Sequence, residues 1–144
     1  MIREDSMPHG AHGFRDLVGF RLVEHADGLA IVELTLTRSH TNRSGFVHGG
    51  VYMTLLDSVC GYSGCFCTVP GNTRRCVTLS LSTNFLGQVR IGDTIRATGR
   101  VIGGGRRVFG ARAELTGPAG KVLAAAEGMF QYRRGSETRE GSPG

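Results

Sequence analysis

One apolar helical segment, set in a chain otherwise patterned for strands, is the feature that most restricts the fold. It opens at Gly49-Gly50 and runs on through Tyr52, Leu55, Leu56, Val59 and Cys60, interrupted by Asp57 and Ser58. A helix that is apolar on most of its surface must be covered by other elements. The flanking sequence supplies strands for this. Residues 29–37 alternate Ala30, Val32, Leu34 and Leu36 against Glu33, Thr35 and Thr37, a half-buried strand entered from residues 20–24 through a turn at Asp27-Gly28. Beyond the helix, Val69-Pro70-Gly71-Asn72 is a turn. Val77, Leu79, Leu81 and Phe85 then repeat with period two, as do Ile95, Ala97 and Val101, and then Phe109, Ala111, Ala113 and Leu115. Gly117-Pro118-Ala119-Gly120 turns the chain into a last strand over residues 122–132. Two strands, one helix and a meander of four strands predict an α+β domain, an antiparallel sheet of about six strands wrapped around one long central helix.

The 144 residues suit one domain, read as residues 14–133, and residues 1–13 and 134–144 lack periodicity and read as flexible tails. No apolar run approaches the ~20 residues that cross a bilayer, which argues against a membrane partner. Met1 to Asp5 carries mixed charge with no signal-peptide core behind it, so a cytoplasmic address is expected. The formal charge of +5 is carried largely by arginine, which suits a phosphorylated ligand or solubility. Aromatic residues do not alternate with basic ones, so no nucleic acid partner is expected. Cys60, Cys65, Cys67 and Cys76 do not have the spacing of a zinc site; no metal is expected, and they read as buried thiols packing as small apolar groups. His9, His12, His25 and His40 read as surface residues, with a pocket mouth as the alternative for His40.

The chemistry concentrates between Asn42 and Asp57. Glycines at a helix start let a ligand approach backbone N–H groups that have no partner within the helix, at the positive end of its dipole. Gly49 N–H is therefore a candidate oxyanion donor, with Asn42 and His48 just upstream. Asp57 is the only acid on the helix. Eight residues at ~1.5 Å each put Gly49 and Asp57 roughly 12 Å apart along the axis, far beyond the ~3 Å reach of a catalytic hydrogen bond. One chain therefore cannot build the site. Two helices packed antiparallel across a two-fold axis bring each helix start to the middle of its partner, and Gly50, Met53, Thr54, Asp57, Gly61 and Gly64 form a stripe small enough for close approach. The meander also leaves a free edge that a second copy would cover.

Asn42, Gly45 and His48-Gly49-Gly50, followed by Leu55-Leu56-Asp57, Val77-Thr78-Leu79-Ser80-Leu81, Phe85-Leu86 and Gly92-Asp93, resemble the hotdog-fold acyl-CoA thioesterases of the PaaI-like, phenylacetate-pathway branch. The resemblance covers residues 14–133. It implies the hotdog fold, a homodimer with active sites between subunits, assembly as a dimer of dimers, and hydrolysis of small aromatic or medium-length acyl-CoA without a cofactor. It also implies that Asn42, His48 and Gly49 come from one chain and Asp57 and Thr78 from the other. Gly49 N–H would polarise the thioester oxygen, Asn42 place the carbonyl or water, His48 fix the loop, Thr78 hold the water or carboxylate, and Asp57 serve as general base or nucleophile. Arg74, Arg75, Arg90, Arg106 and Arg107 are candidates for the coenzyme A phosphates. The run Gly103-Gly104-Gly105-Arg106-Arg107 lacks the strand-before, helix-after setting of a phosphate loop and reads as a hairpin turn. Two other functions compete: a non-catalytic acyl-CoA or pantetheine binder of the same fold, and a hotdog hydratase or dehydratase.

Overall fold

The computed structural model describes residues 13–144. A short helix α1 (Phe14–Val18) leads into β1 (Arg21–Ala26), β2 (Leu29–Thr35) and the long helix α2 (Gly49–Gly64). Then follow β3 (Asn72–Thr73), β4 (Cys76–Phe85), β5 (Thr94–Gly104), β6 (Val108–Thr116), β7 (Val122–Tyr132) and β8 (Ser142–Pro143). Six strands form one sheet in the order β1-β2-β5-β6-β7-β4, antiparallel at every pairing, with α2 against one face. This is the α+β arrangement the periodicities predict. No helix among the described residues is long and apolar enough to cross a membrane.

The helix and sheet meet through Tyr52, Leu55, Leu56 and Val59 on one side and Ile95, Ala97, Ala111 and Leu115 on the other, all fully or almost fully buried. Glycine permits the closest approach. A Cβ on Gly99 of β5 would lie 2.6 Å from the Val59 carbonyl oxygen, so the backbones of helix and strand nearly touch there. Five residues further on, at the C-terminal end of α2, a Cβ on Gly64 would collide with the Phe109 ring. Gly64 thus faces the core and does not belong to the surface stripe that the helical spacing predicts, because Phe109 of β6 fills the space beside it.

The sheet has two unlike edges. β1 is short and bulged between Leu22 and Glu24, which discourages further pairing. β4 is longer, and the apolar residues whose alternation marks it as a strand are largely uncovered, with Val77 44% and Leu79 52% exposed. Met129 of the adjacent β7 is exposed as well. The period-two pattern identifies this strand correctly, but of its apolar side chains Leu81 packs against the core of this chain while Val77 and Leu79 do not.

The C-terminal segment departs from the flexible tail its composition suggests. It returns across the end of α2 and pairs through β8 with β3. Thr68 N–H donates to the Arg139 carbonyl at 2.8 Å, Arg75 N–H donates to Ser136 Oγ at 2.8 Å, and Arg139 pairs with Asp27 at 3.1 Å. Main-chain hydrogen bonds hold this segment, and they leave no apolar periodicity to read. The expected N-terminal tail, with His9 and His12, lies outside the described residues apart from Gly13.

Candidate active site

The loop before α2 is shaped by Asn42. Its Oδ1 accepts from Ser44 N–H at 2.9 Å and Phe46 N–H at 3.1 Å, while Thr41 and Val47 pair across the loop base. His48 then caps the helix. Its Nδ1 accepts from Gly50 N–H at 2.8 Å, so Nε2 carries the proton of the neutral ring and remains a donor. Val51 N–H bonds the His48 carbonyl. Gly49 N–H has no partner among the described residues and lies beside Phe85, whose ring is 3.4 Å from where a Gly49 Cβ would stand.

Asp57 and Thr78 meet elsewhere. Thr78 Oγ1 donates to Asp57 Oδ1 at 2.7 Å, joining the middle of α2 to the start of β4. A register shift between Thr78 and Ser80 bulges β4 at this point, and such a bulge re-aims the side chains beside it. The pair borders a groove of about 180 Å³ between α2 and the approach to β4, lined also by Gly61, Tyr62, Cys65, Arg74, Cys76 and Phe130. Asn42, His48 and Gly49 are absent from this lining. Within one chain the candidate residues therefore form two groups separated along the helix by roughly 12 Å.

His25 also lines the groove, contrary to its reading as a surface residue. It is buried and bonds the Tyr62 carbonyl through Nε2 at 2.7 Å. Burial holds its imidazole below the ordinary value of 6.5, opposed by that hydrogen bond. The cause of the misreading is the β1 bulge, which turns both Leu22 and His25, three residues apart, toward the interior. His40 is buried too. It pins α1 by a bond from Nε2 to the Val18 carbonyl at 2.7 Å and accepts from Thr37 N–H through Nδ1, a structural role away from the groove.

Cys60, Cys65 and Cys67 are buried and Cys76 is half-buried. Burial, reinforced by the Asp57 charge, pushes the Cys60 thiol up to about 12, which keeps it protonated beside the carboxylate. A hydrogen bond from Cys65 lowers Cys76, and the Arg74 charge acts in the same direction.

The five arginines that sequence nominates for phosphates do not act as one group. Arg74 is buried, only 7% exposed, and lines the groove beside Asp57. Arg75 lines a hollow of about 160 Å³ with Arg133, Arg134, Thr73, Ser136 and Ser142. Arg133 and Arg134 went unnoticed in the sequence because they fall where the last strand gives way to the expected tail. The turn bearing Arg106 and Arg107 adjoins this end of the sheet, since Tyr132 N–H bonds the Arg107 carbonyl at 2.8 Å. It is a hairpin turn, as its setting predicts. Arg90 lies in the turn before β5, at the opposite end, roughly 35 Å away along an eleven-residue strand.

The thioesterase superfamily model matches residues 44–124, more than half of the chain. Human acyl-coenzyme A thioesterase 13 is 29% identical over 116 residues, 79% of this chain and 81% of that protein. The conserved protein PA5202 from Pseudomonas aeruginosa superposes with a TM-score of 0.76 at 30% identity, over 91% of this chain and 98% of that one. The protein smu.793 from Streptococcus mutans UA159, solved bound to acetyl CoA, gives a TM-score of 0.73 at 26% identity over 94% of this chain and all of that one. The matched segment takes in the helix-start loop from residue 44 onward, α2 and strands β4 to β6. The chain belongs to the thioesterase superfamily and is a hotdog-fold thioester hydrolase.

Proposed function

We propose that the protein hydrolyses acyl-CoA thioesters with small aromatic or medium-length acyl groups, releasing the free acid and CoA. The observation that carries this reading is the Thr78–Asp57 hydrogen bond of 2.7 Å bordering a groove. Thr78 occupies one carboxylate oxygen and leaves the other to take a proton from water. Direct attack by the carboxylate, forming an anhydride, uses the same two residues. Water is the co-substrate and no cofactor takes part.

The oxyanion donor has to come from a second copy. In this reading two chains pair along β4, covering Val77 and Leu79, and the helices lie antiparallel so that Gly49 N–H of each faces Asp57 of the other. Asn42 holds the loop in the shape that keeps Gly49 N–H open, and His48 offers its Nε2 proton to the thioester or the pantetheine arm. Arg75, Arg106 and Arg107, joined by Arg133 and Arg134, favour binding of the CoA phosphates at one end of the sheet. Two such dimers pair into a tetramer. The acetyl CoA bound to the Streptococcus mutans relative supports a ligand of this class.

Thiol release from a panel of acyl-CoA substrates tests the proposal. Asp57→Asn keeps the shape of the side chain and loses its basicity, so turnover should fall by about 10²-fold or more while substrate still binds. A variant that hydrolyses its best substrate at the wild-type rate overturns the assignment.

A further inference from the structure

The groove beside Asp57 has an acid at one end and a cation at the other. Asp57 and Cys65 mark its length along α2, eight residues or about 12 Å. Thr78 and Arg74 mark it along the facing chain, four extended residues or about 13 Å. Between them Ser58, Gly61, Tyr62, Cys76 and Phe130, with the buried imidazole of His25, make the wall.

Arg74 is buried among neutral partners. Its Nε donates to the Ser136 carbonyl at 3.1 Å, its Nη1 donates to the Phe66 carbonyl at 3.2 Å, and its guanidinium carbon lies 4.6 Å from the centre of the Tyr132 ring. Its charge is felt by Cys65, Cys76, Tyr132 and the fully exposed Glu140. No carboxylate among the described residues is within ion-pair distance of it. A guanidinium has five N–H donors; two go to these carbonyls and a further side-chain hydrogen bond meets Tyr132, which leaves donors over. A buried cation is costly unless paired, and a carboxylate is the partner whose geometry a guanidinium matches. Arg74 also lines a second cavity of about 400 Å³, with Asp27, Glu137 and Arg139 among its other lining residues, and its bonds to main-chain carbonyls hold it in place.

Resting on the hydrolase reading above, we propose that Arg74 is a specificity-determining residue and that the preferred substrates are ω-carboxyacyl-CoA thioesters, the monothioesters of dicarboxylic acids. The thioester carbonyl sits at Asp57, the methylene chain runs past Gly61 and Cys76, and the distal carboxylate meets Arg74.

Adipyl-, suberyl- and sebacyl-CoA are compared with hexanoyl-, octanoyl- and decanoyl-CoA in the wild-type protein. At least one diacid should exceed its monoacid counterpart in kcat/KM by roughly tenfold to a hundredfold, the worth of a hydrogen bond to a charged group. In Arg74→Gln that ratio should collapse toward one, and in Arg74→Lys, which keeps the charge but loses the fork, it should fall only part of the way. If Arg74→Gln does not fold, the wild-type ratios and the Lys variant still decide. Affinity for non-hydrolysable suberyl- and octanoyl-CoA thioethers, by calorimetry, separates the two proposals. Tighter binding of the suberyl analogue without any turnover sinks the hydrolase assignment and keeps the Arg74 site. Equal affinities and equal rates for every diacid and monoacid pair overturn the Arg74 proposal, whatever the hydrolase does.

Discussion

At the scale of single residues, the Thr78 hydroxyl determines how Asp57 is held. Because it donates, it fixes one carboxylate oxygen, so in the proposed reaction its loss acts on the position of the base. Thr78→Ser keeps the donor and should stay within a few-fold of wild type, whereas Thr78→Val should lower kcat by about tenfold or more with a smaller change in KM. Steady-state kinetics of the two variants checks this, and equal kcat values would remove Thr78 from the site. His25 makes a prediction about stability. Its folded pKa lies below the unfolded value of 6.5, so below that pH the unfolded chain binds the extra proton. The stability it contributes is full above pH 6.5 and falls as pH drops through that value toward the folded pKa. Urea midpoints should decline from pH 7.5 to pH 5.5 in the wild type and decline less in His25→Gln. Parallel declines would show that His25 does not carry the effect. Asp57 was legible in the sequence as the lone acid of an apolar helix; His25 was not, because a bulge moved it to the inside.

At the scale of elements, α2 and β5 meet where the sequence has glycine. Gly99→Ala places a Cβ 2.6 Å from the Val59 carbonyl, two residues along the helix from Asp57, and backbone cannot yield as a side-chain tip can. The variant should lose about 1–3 kcal/mol, and turnover should drop with it as the helix is pushed away from β4. Gly103→Ala on the same strand meets no atom within 4 Å and serves as the control, expected near wild type. Chemical denaturation of both variants decides; equal stabilities would mean that the helix has room to move. The strand periods and the turn at Asp27-Gly28 could be read in advance because they are local patterns. Whether the apolar side of β4 points into this chain or out of it depends on its place at the sheet edge, which no local pattern records.

At the scale of the whole molecule, the separation of Gly49 from Asp57 is the reason the proposed site draws on two chains. Gly49→Pro removes an N–H that has no partner among the described residues, and His48, at φ −63° and ψ 130°, already has the extended backbone a residue before proline requires. Gly49→Pro and Asp57→Asn should each be inactive alone. Unfolded together and refolded in equal amounts, half the dimers should be mixed, each with one intact site, giving about a quarter of wild-type activity. Circular dichroism and gel filtration establish folding first. Well-folded mixed dimers that recover nothing would show that the site is not divided between the chains in this way.

The sequence by itself determined the fold class, the helix that carries Asp57, and the impossibility of a catalytic contact between Asp57 and Gly49 along one helix. These follow from periodicity and from residue spacing along regular elements, which tertiary contacts do not alter. Only the tertiary structure decided that Thr78 bonds Asp57, that Gly64 faces Phe109, that Arg74 lies buried at the far end of the groove, and that the last eleven residues are tied to the segment before β4. Each of these depends on a bulge, a register or a main-chain hydrogen bond between residues distant in the chain, and such contacts leave no period in the sequence.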